Sequence, residues 1–156
     1  MTWMTVALSL LLTSSGQTAR AADAAPQIVF VCEHGAAKSL IATAYFNRLA
    51  AERGIRERAI FRGVSPQDDL SVRAVAGLRA DGIAIPDGKP TAIGRNDVAH
   101  ATHIFTIGCA LPKGLASSSK SGDWNDVPED QGYGAMRDAI VAHVRALLDE
   151  IQQRKQ

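Results

Sequence analysis

The sequence predicts an α/β protein in which a four-stranded, mostly parallel sheet forms the middle layer of a three-layer sandwich. Short apolar runs rich in β-branched residues alternate along the chain with segments of helical periodicity. An irregular stretch over residues 109–131, with room for a short edge strand, precedes one long final helix. This alternation is typical of a doubly wound sheet with helices on both faces. Ligands of such sheets bind beyond the carboxyl ends of the strands.

The first strand and helix are the clearest elements. The strand begins at Gln27, and its run IVFVC is apolar and β-branched, as in central strands buried on both faces. The helix that follows places Ser39 at its N-cap or in its first turn and is ended by Gly54. Its apolar residues share one face, which predicts packing against the sheet.

The remaining elements follow from the same two periodicities and from turn residues between them. The predicted elements are a strand over 59–63, a helix capped by Asp69 or Ser71 and running to residue 80, a short helix over 91–99, a strand over 102–107, an edge strand over 119–123 and a final helix over 133–153.

Length and composition favour a single globular domain. The chain has 156 residues, of which 46% are hydrophobic and 21% charged. A net charge of +1 provides no field that would attract nucleic acid or an acidic membrane. No segment approaches the roughly 18 to 20 apolar residues that span a bilayer, so we expect no membrane association of the mature chain.

The N-terminus differs from the rest and resembles a secretory signal. Its apolar core over residues 6–12 is followed by small residues and by Ala19-Arg20-Ala21, although no Lys or Arg precedes the core. We therefore expect residues 1–21 to be a signal peptide and residues 22–156 to form one domain. This predicts a periplasmic or secreted protein. If 1–21 are instead a mis-assigned start or an extension, a cytoplasmic location follows.

The loop CEHGAAKS, between the first strand and helix, carries the candidate chemistry. Small residues allow its backbone to curl with the N–H groups inward, which forms an anion site at a helix N-terminus. A cysteine there is expected to act as a thiolate nucleophile towards a bound oxyanion. His34 either contacts that anion, tunes the thiol or faces solvent. The predicted nucleophile is Cys32, and the predicted oxyanion-binding residues are Glu33, His34, Gly35, Ala36, Ala37, Lys38 and Ser39.

These segments resemble the low-molecular-weight protein tyrosine phosphatases and the thioredoxin-type arsenate reductases that share their fold. The segment IVFVCEHGAAKSLIATAYFNRLA is similar to the family frame of strand, Cys-x5-Arg-Ser and helix. Later family segments are resembled by RGVSPQDDLSVRAVAGLRADGIAI, GKPTAIGRNDVAHATHIFTIGC and DWNDVPED. The resemblance spans roughly residues 27–146 and implies the phosphotyrosine protein phosphatase I-like fold. Two residues depart from the pattern: Lys38 replaces the family arginine and Gly35 replaces a usual asparagine. Lysine lacks the planar fork that holds tetrahedral anions.

The resemblance also implies roles outside the loop. Asp126 matches the general acid best, with Asp123, Glu129 and Asp130 as close competitors. Cys109 resembles the second cysteine with which the reductases form a disulfide to the nucleophile. The usual third cysteine is absent, so a reductase cycle would need an external thiol or direct reduction of a Cys32–Cys109 disulfide.

Three classes of function remain open from the sequence. The first is thiol-based oxyanion chemistry, either arsenate reductase-like, as an oxidoreductase, or a phosphatase-type hydrolysis of phosphomonoesters. The second is a catalytically attenuated domain that binds phosphate or arsenate. The third is an exported domain with a structural disulfide between its two cysteines. Expected partners are a small oxyanion or a phosphoprotein and, for a reductase, a thiol reductant protein. No cofactor is expected, and no metal, because the histidines lack ligand spacing.

Overall fold

A computed structural model of the chain describes residues 27–115 and 121–155. The predicted signal peptide lies outside these residues. Within them, no helix has the length and apolar character needed to cross a membrane. The elements in chain order are β1 (Gln27–Cys32), α1 (Lys38–Glu52), β2 (Arg58–Gly63), α2 (Val72–Ala80), α3 (Arg95–His100), β3 (Ala101–Thr106), β4 (Ser121–Asp123) and α4 (Gly132–Gln153).

The four strands form one sheet in the order β2-β1-β3-β4, and every neighbouring pair is parallel. The predicted central position of β1 is confirmed, since Phe30 lies between Phe61 of β2 and Phe105 of β3. Parallel pairing brings the carboxyl ends of these strands to one edge of the sheet. Cys32 is paired with Gly63 there.

Side chains of β1 alternate between two apolar clusters, one on each face of the sheet. Ile28 and Phe30 pack into the larger cluster, which α1, α2 and α4 cover. Val29 and Val31 belong to the smaller cluster on the opposite face, against which Val98 of α3 packs. The predicted three-layer α/β sandwich is therefore confirmed.

The structure selects between the helix starts that the sequence left open for α1 and α2, and it moves the start of α3. Ala37 is the N-cap of α1, so Ser39 lies in its first turn. Of the two predicted caps of α2, Ser71 fills the role, because its Oγ accepts from the N–H of Ala74 at 3.3 Å. Helix α3 begins later than expected because the Gly94 N–H donates to Asp97 at 2.9 Å.

The outer edge of β2 is covered in two places. The side chain of Asn47 donates to the Ala59 carbonyl at 3.0 Å and accepts from the Ala59 N–H at 2.8 Å. Further along, the Gly63 N–H donates to the Thr91 carbonyl, and the Gly63 carbonyl accepts from the Ile93 N–H, both at 2.9 Å. The segment predicted as the start of a helix at residue 91 thus pairs with the sheet instead.

Candidate active site

The Cys32 thiol lies at the carboxyl end of the central strand, where α1 begins. It is 3% exposed, and its Sγ is 3.1 Å from the Oγ of Ser39, a fully buried residue. A hydroxyl at this distance can donate a hydrogen bond to a thiolate. The first turn of α1 therefore holds a polar partner directly against the sulfur.

The carbonyl groups of the loop after Cys32 point towards the segment over residues 64–71. The carbonyls of Cys32, Glu33, His34 and Ala36 accept from the N–H groups of Val64, Ser65, Gln67 and Ser71 at 3.1, 2.8, 3.3 and 3.0 Å. In a trans peptide the carbonyl and the next N–H point in opposite directions, and the described chain holds no cis peptide. The next N–H groups in the chain, those of Glu33, His34, Gly35 and Ala37, therefore point away from that segment, as in an anion-binding nest.

Two glycines allow the loop to rest directly on the end of β2. Gly35 has a φ of +63°, and a Cβ placed on it would lie 2.8 Å from the Gly63 nitrogen. A Cβ on Gly63 would in turn lie 2.8 Å from the Gly35 nitrogen. Because no real Cβ tolerates such contacts, both positions require glycine. The sequence prediction included Gly35 but missed Gly63, whose role depends on a contact distant in sequence.

The cation of the loop, Lys38, is buried and already paired. Its side chain is only 8% exposed, and its Nζ forms an ion pair with the Glu129 carboxylate. Gly108, at a φ of +64°, packs against the same ammonium, since a Cβ there would lie 2.7 Å from the Nζ. The hydrogen bond and charge of Lys38, together with the charge of His34, hold the pKa of Glu129 below its usual range.

A cavity of about 420 Å³ opens beside these groups. It brings together most of the predicted oxyanion-binding residues, while Gly35 and Ser39 support the loop behind it. His34 is exposed at its margin, with its Nδ1 3.2 Å from the Ser65 carbonyl. Gln67, Ser71 and Gly108 were not predicted. The lining residues are Cys32, Glu33, His34, Ala36, Ala37, Lys38, Gln67, Ser71, Gly108 and Glu129.

Asp126, predicted as the general acid, does not line this cavity. Its Oδ1 lies 2.7 Å from the Nε2 of His143 on α4, and this hydrogen bond lowers the pKa of Asp126. The neighbouring Trp124 is 6% exposed and stacks on His143 with the ring centres 4.7 Å apart. Glu129, one of the competing candidates, lines the cavity instead and pairs with Lys38 there.

Cys109 is a second free thiol near the nucleophile. Both cysteines are free here, which does not support a purely structural disulfide. The Cys109 Sγ lies 3.5 Å from the Val31 carbonyl. Burial raises the pKa of Cys109 to about 11, and the charge of Cys32 contributes to the shift. This thiol is therefore neutral near pH 7. Among the described residues, no group of three or more His, Cys, Asp or Glu side chains is placed to hold a metal ion.

A parallel three-layer sandwich with a cysteine at the end of its central strand, followed by a loop of inward N–H groups, defines a class of thiol-centred oxyanion sites. The family model described as low molecular weight phosphotyrosine protein phosphatase matches residues 27–156. The chain belongs to this family.

Individual proteins similar to this chain include two that are named as arsenate reductases. A protein of Halobacterium salinarum named "Putative arsenate reductase" is 24% identical over 136 residues, covering 85% of this chain and 90% of that protein. The solved structure of YfkJ from Bacillus subtilis has a TM-score of 0.72 at 21% identity, over 84% of this chain and 97% of that one. A thioredoxin-dependent arsenate reductase of Corynebacterium glutamicum has a TM-score of 0.70 at 24% identity, over 85% of this chain and 65% of that one.

Proposed function

We propose that this chain is a thiol enzyme acting on a tetrahedral oxyanion, with chemistry of the arsenate reductase type. The observation that carries the proposal is the Cys32 sulfur beside the Ser39 hydroxyl, in a loop whose carbonyls are turned outward. The family match and the names of the relatives support the class of substrate. Lys38 supplies the positive charge for the anion.

In the first step, the Cys32 thiolate attacks the arsenic atom of bound arsenate. An S–As bond forms as one arsenate hydroxyl takes up a proton from solvent and leaves as water. The loop N–H groups and Lys38 neutralise the charge on the remaining oxygens. Ser39 donates to the thiolate before the attack and orients it.

In the second step, another thiolate attacks the Cys32 sulfur. A disulfide forms, the electron pair of the S–As bond stays on arsenic, and arsenate is thereby reduced to arsenite. Cys109 is the second thiol within the chain, but its raised pKa makes it a slow attacker in this conformation. An external thiol, or a reductant protein that later reopens the disulfide, completes the cycle.

The test is arsenate reduction with a thiol reductant, measured on wild type, Cys32→Ser and Cys109→Ser. We expect Cys32→Ser to fall to the uncatalysed background. Cys109→Ser should retain activity if an external thiol resolves the adduct and lose it if Cys109 does. Arsenate reduction that persists in Cys32→Ser would exclude this site.

A phosphatase-type reaction through the same loop is the second candidate, favoured by the family match. It requires a protonated group at the leaving oxygen. The pKa values of Asp126 and Glu129 are both lowered, which favours their ionised forms. We therefore expect hydrolysis of phenyl phosphate, whose ester oxygen carries no proton, to be weaker than reduction of arsenate, whose leaving oxygen is already a hydroxyl. The reverse ranking on the same preparation would favour the phosphatase.

The ion pair of Lys38 favours a third candidate, a domain that binds phosphate or arsenate without turning it over. Calorimetric binding of either anion, combined with no turnover by any thiol reductant, would select it.

We also propose export through residues 1–21, after which the thiols would need a dedicated reductant. N-terminal sequencing of the mature protein tests this: a start near residue 22 supports export, and an intact N-terminus contradicts it.

A further inference from the structure

The ion pair between Lys38 and Glu129 joins a buried ammonium to a solvent-exposed carboxylate. The Lys38 side chain is 8% exposed and is held against Gly108, whereas the Glu129 side chain is 71% exposed. Both residues line the cavity that contains Cys32. An oxyanion that reaches Lys38 therefore meets the Glu129 carboxylate at the same ammonium.

The charges around this point restrict the anions that can approach it. Glu129 is held in its ionised form by Lys38, and an ionised carboxylate only accepts hydrogen bonds. A ligand oxygen next to it must therefore carry a proton or suffer repulsion. The other titratable groups that line the cavity are Cys32, Glu33 and His34. The His34 Nδ1 donates to the Ser65 carbonyl, because a carbonyl only accepts.

Tetrahedral anions differ in whether they keep a proton near neutral pH. Inorganic phosphate and arsenate retain at least one O–H group, which can donate to Glu129 while another oxygen contacts Lys38. Sulfate has none. A phosphomonoester loses its last proton with a pKa of about 6, so its dianion has none either. The Glu129 carboxylate beside Lys38 therefore favours binding of phosphate and arsenate and opposes binding of sulfate and of phosphomonoester dianions.

We propose that Glu129 is a specificity-determining residue that selects protonated inorganic oxyanions over sulfate and over phosphomonoester dianions. This inference rests on the oxyanion site of the proposed function and narrows its substrate class to arsenate and phosphate. It assigns Glu129 to ligand selection, in place of the acid role for which it was a candidate.

The experiment measures binding of inorganic phosphate, sulfate and phenyl phosphate by titration calorimetry at pH 7.5 under reducing conditions. Wild type, Glu129→Gln and Asp130→Asn are compared, and the last variant removes one exposed charge from the next position in the chain as a matched control. We expect wild type to bind phosphate at least tenfold more tightly than sulfate, about 1.4 kcal/mol. In Glu129→Gln the preference for phosphate over sulfate should fall below about threefold, because the amide can donate to an unprotonated oxygen. Asp130→Asn should keep the wild-type preference.

Several results would overturn the inference. These are equal binding of phosphate and sulfate by wild type, an unchanged ratio in Glu129→Gln, an equal loss of selectivity in Asp130→Asn, or no binding of any anion. Arsenate reduction on the same preparations separates this inference from the proposed function. Cys32-dependent reduction without selectivity refutes the role of Glu129 alone, whereas selectivity without reduction refutes the proposed turnover alone.

Discussion

Replacing Gly35 by alanine should damage both stability and anion binding, because two separate penalties add at this position. The first is conformational: a φ of +63° costs an L-residue about 1–2 kcal/mol. The second is steric, since the new Cβ would lie 2.8 Å from the Gly63 nitrogen and 3.1 Å from the Arg62 carbonyl carbon. Backbone atoms cannot rotate aside, so we assign overpacking another roughly 1–3 kcal/mol.

Gly54 provides the matched control for this substitution. Its φ is +66°, nearly the same as that of Gly35, but a Cβ there would have no neighbour within 4 Å. Gly54→Ala therefore pays the conformational penalty without the clash, and the change in unfolded-state entropy is common to both variants. The difference in free energy of unfolding between the two variants should be about 1–3 kcal/mol.

Urea denaturation of the two variants and wild type measures this difference, with equal m-values as the condition for comparing them. Phosphate binding by calorimetry gives the second readout, and we expect it to weaken in Gly35→Ala and remain unchanged in Gly54→Ala. Unfolding free energies of the two variants within about 0.5 kcal/mol of each other, the usual size of a surface effect, would refute the close-contact reasoning.

Two further predictions follow from the shifted pKa values. Hydrogen bonds from the hydroxyls of Tyr45 and Tyr133 lower the pKa of Asp81, so its stabilisation is present above about pH 4 and is lost as the pH falls below that. Acid unfolding of Asp81→Asn should therefore be less steep than that of wild type or of Asp87→Asn, and parallel curves would contradict this. Cys109, with its pKa near 11, should react slowly with iodoacetamide at pH 8 and faster towards pH 10 in a variant without the other thiol, whereas rapid labelling at pH 8 would contradict its burial.

Local patterns predicted the part of the site that is contiguous in sequence. The buried apolar run of β1, the small residues after Cys32 and the helical periodicity beyond Ser39 each act over a few residues, and together they place the thiol at a strand end. The fold class followed for the same reason, because each strand and helix has its own periodicity. Several boundaries shifted by a few residues, the start of α3 most, because residues 91–93 pair with the sheet and Gly94 hydrogen-bonds to Asp97.

Residues distant in sequence could not be placed in the same way. Asp126 pairs with His143, whereas Glu129 pairs with Lys38 at the cavity, and both partners are distant in sequence. The packing of Trp124 against Phe30 and Phe105, with ring centres 5.2 and 5.1 Å away, is equally non-local. No local pattern contains these contacts. Gly63 likewise is a glycine because of the backbone atoms that face it, and Gly108 because of its φ of +64°. A glycine at or just after a strand end could nevertheless have suggested close approach.

The covered edge of β2 also bears on pairing between copies of the chain through exposed strand edges. An exposed edge strand offers unpaired N–H and C=O groups to another chain and is a common starting point for aggregation. Here the Asn47 amide occupies the backbone groups of Ala59, and the chain over residues 91–93 occupies those of Gly63. At the opposite edge, the part of β4 within the described residues is three residues long. Replacing Asn47 would thus uncover a template for intermolecular strand pairing, at a position remote from the thiol.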